Sequence, residues 1–100
     1  MIASRPIEGT PARVMNNVEL MLSLNLVHGD LSPHNVLYQH GEVRIIDFPQ
    51  ASDPRFNRHA QELLSRDIAN VVRYFGQYGI EADAAALSQE LWGRFVRAEL

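Results

Sequence analysis

Apolar residues recur at helical spacing in three stretches of the chain. The first stretch predicts a helix over 11–24, with Thr10 before it as a cap for the free backbone N–H groups. The second predicts a helix over 58–75, and the third a helix over 83–98 that Asp83 caps. The apolar positions on the three faces are Val14, Val18, Met21, Leu22, Leu64, Ile68, Val71, Val72, Phe75, Leu87, Leu91, Phe95 and Ala98.

Between the first two helices the pattern changes from helical spacing to two short β-rich runs. Residues 36–38 and 43–46 flank 39–42, whose composition is typical of a tight hairpin turn. The segments 28–35 and 48–57 contain glycine or proline and have no period, which predicts loops. The order helix, loop, hairpin, loop, helix, helix predicts an α+β fold.

Composition narrows the possible functions. The chain of 100 residues is 46% hydrophobic and 21% charged, which suits one modest core rather than disorder. It has no cysteine, which excludes disulfides, thiolate catalysis and cysteine zinc sites. A net charge of -3 without any basic run argues against nucleic acid as a direct ligand. The most apolar stretch, 18–27, is far shorter than the roughly 20 residues of a membrane span, so we expect a cytoplasmic protein without a membrane partner.

Three oxygen-bearing side chains are spaced around the predicted hairpin. Asp30 follows His28-Gly29, and Asn35 comes five residues later. Asp47 closes the second β-rich run, and because a hairpin brings its two ends together, the three side chains are expected to converge. Phosphoryl transfer needs Mg²⁺ on hard oxygens beside the nucleotide phosphates, and a group that orients the acceptor. We therefore expect Asp30 to face the acceptor, and Asn35 and Asp47 to face Mg²⁺.

A lone Asp-x-x-x-x-Asn has a simpler explanation, because both residues are common in loops, where they bond their own backbone. Here the His-Gly before the loop, the apolar run after it and Ile46-Asp47-Phe48 fall in one order. It is the order of the protein-kinase signature, with its H-R-D-L-x-x-x-N loop and D-F-G segment. This match of several parts favours a phosphotransferase over chance.

The stretches HGDLSPHNVLY and IIDFPQ resemble the RIO kinases, particularly their bacterial members, and AQELLSRDIANVVRYF resembles that family's Leu-x-x-Arg-Asp helix. The resemblance covers residues 12–95. It implies the C-terminal lobe of a protein-kinase-like fold, mainly helical, with a small β-hairpin that carries the catalytic and metal-binding loops. It also implies an ATP- and Mg²⁺-dependent serine/threonine kinase or ATPase.

By this resemblance Asp30 is the catalytic aspartate that orients or deprotonates the acceptor. Asn35 and Asp47 are the two metal ligands and, with Ser32, the residues that lie near the nucleotide. Pro49 replaces the glycine of Asp-Phe-Gly, and its fixed φ and missing N–H disfavour the backbone flip known in many protein kinases.

Two further residues are expected to support the catalytic loop. The resemblance implies that His28 holds the loop and that Asp67 accepts hydrogen bonds from its backbone. For Asp67, a solvated charge at the edge of the helix is an equally open interpretation. The ten residues 48–57 leave no room for a conventional activation loop, so ATPase activity and phosphate acceptance by Asp47 also stay open.

Two parts of a complete kinase-like domain are not found in the sequence. It has no Gly-x-Gly-x-x-Gly and no lysine, since its nine basic residues are all arginine, whose planar fork does not replace a compact ammonium. We therefore expect residues 1–100 to be a C-terminal lobe without the N-terminal lobe, and to be inactive alone. A separate N-terminal lobe or self-association would then cover an exposed apolar docking face.

Two other functions stay open. Aminoglycoside and choline phosphotransferases share a His-Gly-Asp-x-x-x-x-Asn loop, so a small-molecule kinase is the nearest alternative, although Pro49-Gln50 and Arg66-Asp67 favour the RIO family. The second alternative is a non-catalytic kinase-lobe module that docks a protein partner.

Overall fold

The computed structural model describes residues 10–39, 42–77, 79 and 81–100. Its helices and strands are α1 (Thr10–Ser23), β1 (Val36–Gln39), β2 (Glu42–Ile45), α2 (Ala60–Gly76) and α3 (Ala84–Val96), with a 3-10 turn at Pro33–Asn35. The fold is α+β and mainly helical, with one two-stranded antiparallel sheet in the described part of the chain, as the sequence predicts. The predicted hairpin turn includes residues 40 and 41, which lie outside the described residues.

One core joins the three helices, the hairpin and the loop that precedes it. Its buried apolar residues are Val14, Val18, Leu22, Val27, Leu31, Val36, Ala60, Leu64, Ile68, Val71, Phe75 and Leu91. Full burial of one valine or leucine side chain stabilises a fold by roughly 1.5–3 kcal/mol. Val27 and Leu31 stand on either side of the predicted catalytic residues, so the core itself anchors both ends of that short stretch.

The end of α1 turns the chain sharply into the core. Asn25 is left-handed, with φ 62°, and its N–H donates to the Leu22 carbonyl at 3.0 Å. The next N–H, that of Leu26, donates to the Met21 carbonyl at 2.8 Å. This pair of bonds is a Schellman motif, in which asparagine sometimes takes the place of glycine. The motif leads the chain directly to Val27.

The hairpin pairs Val36 with Ile45 at its open end, and the register continues to Gln39 opposite Glu42. Ile45 packs against the core beside buried Val36. β2 ends at Ile45, one residue earlier than predicted, but the Ile46 N–H still donates to the Asn35 carbonyl at 2.8 Å. The hairpin therefore joins the end of one predicted site loop to the start of the other.

The last helix, α3, packs against α2 and also contacts α1. Asp83 caps α3 as predicted, because its Oδ1 accepts the Ala86 N–H at 3.0 Å. An ion pair of 2.7 Å between Arg94 and Glu19 links α3 to α1. Aromatic residues that pack in or against the core are Tyr74, Phe75, Trp92 and Phe95. None of the helices in the described ranges is long and apolar enough to cross a membrane.

Candidate active site

The loop between α1 and β1 lies against the segment that follows β2. Val27 and Ser52 exchange backbone hydrogen bonds of 2.9 and 3.0 Å. Gly29 has φ 85°, and a Cβ at this position would stand 2.8 Å from the Gln50 carbonyl oxygen. Both the conformation and the space therefore require glycine at position 29.

His28 connects these two stretches through its side chain. Its Nε2 donates to the Ile46 carbonyl at 2.9 Å, and its Nδ1 accepts the Asp30 N–H at 3.2 Å. Because a carbonyl only accepts and a backbone N–H only donates, these contacts assign the donor N–H of the ring to Nε2. The ring is buried, and Phe48 packs against it with ring centroids 4.9 Å apart. The structure thus places His28 between Asp30 and the residue before the predicted metal ligand.

Asp67 of α2 accepts two backbone N–H groups of the predicted catalytic loop, residues 28–35. Its Oδ2 accepts from Gly29 at 2.8 Å and its Oδ1 from Leu31 at 3.0 Å. The side chain is only 2% exposed, which contradicts the alternative of a solvated helix charge. Burial away from water raises the pKa of Asp67, while the two backbone hydrogen bonds and the nearby Arg66 guanidinium oppose that rise.

Two more side chains of α2 bind carbonyl groups of the same loop. Arg66 Nη2 donates to the Gly29 carbonyl at 2.6 Å, and Asn70 Nδ2 donates to the Leu31 carbonyl at 3.0 Å. Neither contact is predicted from the sequence, where Arg66 serves only as part of a helix motif and Asn70 is not singled out. The sequence does indicate that Arg66 and Asn70 share a helix face, because the two positions are one helical turn apart.

The 3-10 turn fixes the predicted metal ligand Asn35. The Ser32 hydroxyl donates to Asn35 Oδ1 at 2.5 Å, and the Asn35 side chain is buried. An amide oxygen has two acceptor sites, so this bond leaves one site for a cation. Ser32 therefore orients the Asn35 oxygen. Its position near the phosphates stays an implication of the resemblance.

Asp47 stands in the left-handed region, with φ 66°, and its side chain is exposed. The residue before it is held on both sides, because Ile46 donates its N–H to Asn35 and accepts at its carbonyl from His28. Left-handed residues other than glycine are uncommon, and aspartate tolerates the conformation better than most. A fixed backbone thus presents an exposed carboxylate at this point.

A turn follows directly after Asp47. The Ala51 N–H donates to the Phe48 carbonyl at 3.0 Å, which places Pro49 at the second position of a β-turn. The ring of proline fixes φ at the value this position needs. The substitution of proline for the glycine of Asp-Phe-Gly is therefore accommodated by the turn.

The backbones of the three predicted site residues belong to one hydrogen-bonded network. Asp30 is linked through the His28 ring to Ile46, which is next to Asp47. Asn35 is linked to the same Ile46 by a direct backbone bond. The Asp30 and Asp47 side chains are exposed at the surface of this network.

The donor set of Asn35 and Asp47 fits the metal that the resemblance implies. An amide oxygen and a carboxylate are hard ligands, which Mg²⁺ prefers. Among the described residues, no three His, Asp or Glu side chains are grouped to hold a metal ion by themselves. Two protein ligands suit Mg²⁺, because this ion keeps several waters and shares the phosphates of a nucleotide.

A family model, the RIO domain, matches residues 3–87. The chain belongs to the RIO family. This match favours the RIO assignment over the small-molecule phosphotransferases that share the His-Gly-Asp loop. It also agrees with the α+β fold and with the loop, metal segment and Arg-Asp helix described above.

Relatives of this RIO chain are named as kinases. The RIO-type serine/threonine-protein kinase Rio2 of Methanocaldococcus jannaschii is 39% identical over 72 residues, which are 71% of this chain and 26% of that protein. The RIO-type serine/threonine-protein kinase Rio1 of Thermoplasma acidophilum is 41% identical over 76 residues, which are 76% of this chain and 40% of that protein. Human serine/threonine-protein kinase RIO3 is 38% identical over 63 residues, 63% of this chain and 12% of that protein.

Two facts follow from these relatives. They are archaeal and human, so they give no support to the expected likeness to bacterial members in particular. The chain spans 26% and 40% of the two archaeal proteins, so it corresponds to a part of each of these kinases.

Proposed function

We propose that the chain provides the catalytic and metal-binding loops of an ATP- and Mg²⁺-dependent phosphotransferase of RIO type, which acts as a serine/threonine kinase or an ATPase. The backbone network carries this proposal. α2 and His28 hold the catalytic loop, while the Asp30 and Asp47 side chains stay exposed. A fixed backbone that presents free carboxylates is the preorganised arrangement that phosphoryl transfer requires.

Asp30 acts on the acceptor in this proposal. Its carboxylate accepts a hydrogen bond from a hydroxyl group or a water molecule and orients that oxygen for attack on the terminal phosphorus. The His28 ring holds the Asp30 N–H, so this position is set before the acceptor arrives. Phosphoryl transfer leaves little covalent chemistry to the protein, and positioning is therefore the main contribution of the loop.

Asn35 and Asp47 hold the metal in this proposal. Mg²⁺, when bound, neutralises charge on the phosphate oxygens. The Ser32 hydroxyl keeps the Asn35 oxygen oriented, and the two backbone bonds of Ile46 fix the chain next to Asp47. Asp67 supports the same site at a distance, because it holds the loop backbone rather than a ligand.

The apolar surface beside Asp47 indicates that another protein surface covers the site. Ile46 and Phe48 flank this residue, and each is 40% exposed. We propose that an N-terminal kinase lobe covers these two side chains together with the nucleotide. Turnover by the 100-residue chain alone is then low. In the absence of the lobe, the exposed apolar surface promotes self-association of the chain. A sedimentation experiment that finds a clean monomer at high concentration contradicts the self-association.

Calorimetric titration of the chain with a non-hydrolysable ATP analogue tests the site. We expect binding that depends on Mg²⁺ and that weakens at least about tenfold in Asn35→Ala and in Asp47→Ala, since each removes one metal ligand. Asp30→Ala keeps the affinity, because this residue faces the acceptor. Asp53→Ala is the matched control, since the carboxylate of this nearby aspartate bonds only Arg55 among the described residues. Equal affinity in all four variants, or binding without Mg²⁺, contradicts the proposal.

A further inference from the structure

We propose that Asn70 is a positioning residue of the catalytic loop. It fixes the peptide group that joins Leu31 to Ser32, and through this group the residues that hold the metal. The inference rests on the proposed function, because it assigns Asn70 to the same site. Asn70 lies on α2 and its Nδ2 donates to the Leu31 carbonyl at 3.0 Å, so we infer that it acts on the loop through the backbone.

Four successive peptide groups around the catalytic aspartate are each held by a side chain of α2. Asp67 holds the N–H groups of Gly29 and Leu31. Arg66 holds the Gly29 carbonyl, and Asn70 holds the Leu31 carbonyl. The N–H and C=O of a planar trans peptide point in opposite directions, so one contact fixes the orientation of the whole group. Peptide groups 28–29 to 31–32 are therefore all oriented by one face of one helix.

Of these four hydrogen bonds, the one from Asn70 holds a peptide group that leads to the metal-binding turn. Asp67 and Arg66 hold the peptide groups up to the Leu31 N–H, and among the described side chains of α2 Asn70 alone holds the group that follows. That group ends at Ser32, whose hydroxyl orients the Asn35 oxygen. Leu31 is fully buried, so a rotation of this peptide would leave its carbonyl without a partner away from water. Asn70 thus connects the loop that carries Asp30 to the turn that carries the metal ligand.

A contact that only stabilised the fold would behave differently. Its loss would lower the unfolding temperature and leave the affinity for Mg²⁺ and nucleotide unchanged. Asn17 offers a matched comparison, because its Nδ2 also donates to a backbone carbonyl, that of Arg13, at 2.9 Å in an exposed hydrogen bond within α1.

The test measures Mg²⁺-dependent binding of a non-hydrolysable ATP analogue and backbone amide exchange by NMR, both on the full 100-residue chain. Asn70→Leu has a similar size and no donor. We expect it to weaken the affinity on the order of tenfold and to accelerate amide exchange at residues 31–35. Asn70→His carries a donor nitrogen the same number of bonds from the backbone, and we expect it to restore the affinity to within about threefold of wild type. Asn17→Leu changes neither readout at the site.

Two results would overturn the assignment of Asn70. In the first, Asn70→Leu lowers the unfolding temperature but leaves affinity and loop exchange as in wild type. In the second, Asn70→His fails to restore either readout although it folds. If Asn70→Leu does not fold, Asn70→Asp replaces it, since an ionised carboxylate keeps the size and cannot donate. A wild-type chain that binds no nucleotide refutes the proposed function instead, and the exchange at residues 31–35 then decides the role of Asn70 alone.

Discussion

The predicted catalytic loop, 28–35, and the predicted metal segment, 46–52, are joined by hydrogen bonds but are held in different ways. Side chains hold the catalytic loop: buried Asp67, half-buried Asn70 and exposed Arg66 from α2, and buried His28 from the loop itself. The metal segment is exposed from 46 to 50, and backbone hydrogen bonds hold it at Ile46 and Ser52. The fold therefore fixes the catalytic loop directly, and the metal segment is fixed by its attachment to that loop.

Because the two regions are held differently, substitutions in them should affect the stability of the fold and the binding of ligand to different extents. A buried polar group that loses its partner costs free energy, whereas an exposed group is solvated by water. Substitutions that release the catalytic loop should therefore lower the free energy of unfolding. Substitutions in the metal segment should change the affinity for Mg²⁺ and nucleotide and leave stability nearly unchanged. The following experiments are ordered from the largest expected effect to the smallest.

Asp67→Ala should have the largest effect on stability. It leaves the N–H groups of Gly29 and Leu31 buried without acceptors, and each such loss costs about 1–3 kcal/mol. We expect the free energy of unfolding in urea at pH 7 to fall by about 3 kcal/mol. Asp53→Ala, directly after the metal segment, removes a carboxylate that binds Arg55 and should leave it unchanged. If the two variants are equally stable, the contrast between the two regions is wrong.

Gly29→Ala tests the contact between the two regions. The left-handed backbone and the Gln50 carbonyl, 2.8 Å from the added Cβ, should together cost about 2 kcal/mol of unfolding free energy. Gly76→Ala is the control, since nothing lies within 4 Å of its Cβ and alanine favours the helix. Thermal unfolding of both variants measures the difference, and a Gly29→Ala chain as stable as Gly76→Ala refutes the close approach.

Asp47→Gly should separate stability from binding within one substitution. Glycine accepts the left-handed φ of 66° without strain, so the free energy of unfolding should stay level or rise by up to about 1 kcal/mol. The same change removes a proposed metal ligand and should abolish Mg²⁺-dependent nucleotide binding in calorimetry. A loss of stability that parallels the loss of binding would show that the metal segment is as tightly built into the fold as the catalytic loop.

The smallest effect concerns pH and the raised pKa of Asp67. Between the ordinary value of 3.8 and the raised value in the fold, the native state binds more protons than the unfolded state. The stability contributed by Asp67 therefore grows as the pH falls through this interval, and ionisation removes it as the pH rises. We expect the unfolding free energy of wild type minus that of Asp67→Asn to increase from pH 7 towards pH 4, by less than about 1.4 kcal/mol per pH unit. A difference that shrinks towards acid reverses the sign and contradicts the raised pKa.

Local signals in the sequence predict most of the fold. The helix predicted at 11–24 is found at Thr10–Ser23, because burial of one apolar face decides where a helix forms. The Asp83 cap is confirmed, since a cap is a contact within three residues. The order of loop, hairpin and segment also follows from the sequence, because motif order along the chain is a local property.

Contacts between distant segments are what the sequence does not reveal. Arg66 and Asn70 bind carbonyl groups that lie 37 and 39 positions away along the chain. No local pattern pairs a helix side chain with a particular backbone oxygen of a remote loop. The left-handed φ of Asp47 is similar, because it depends on how His28 and Asn35 hold the residue before it. The roles of Asp30, Ser32, Asn35 and Asp47 toward a ligand stay predictions.

The ring of His28 has a mechanical consequence. The planar imidazole is hydrogen-bonded to the Asp30 N–H through Nδ1 and to the Ile46 carbonyl through Nε2. Because the ring is rigid, the distance between these two backbone groups is constrained. We therefore expect a displacement of the Ile46 carbonyl to displace the Asp30 N–H as well, which would couple the backbone positions beside the two acidic residues.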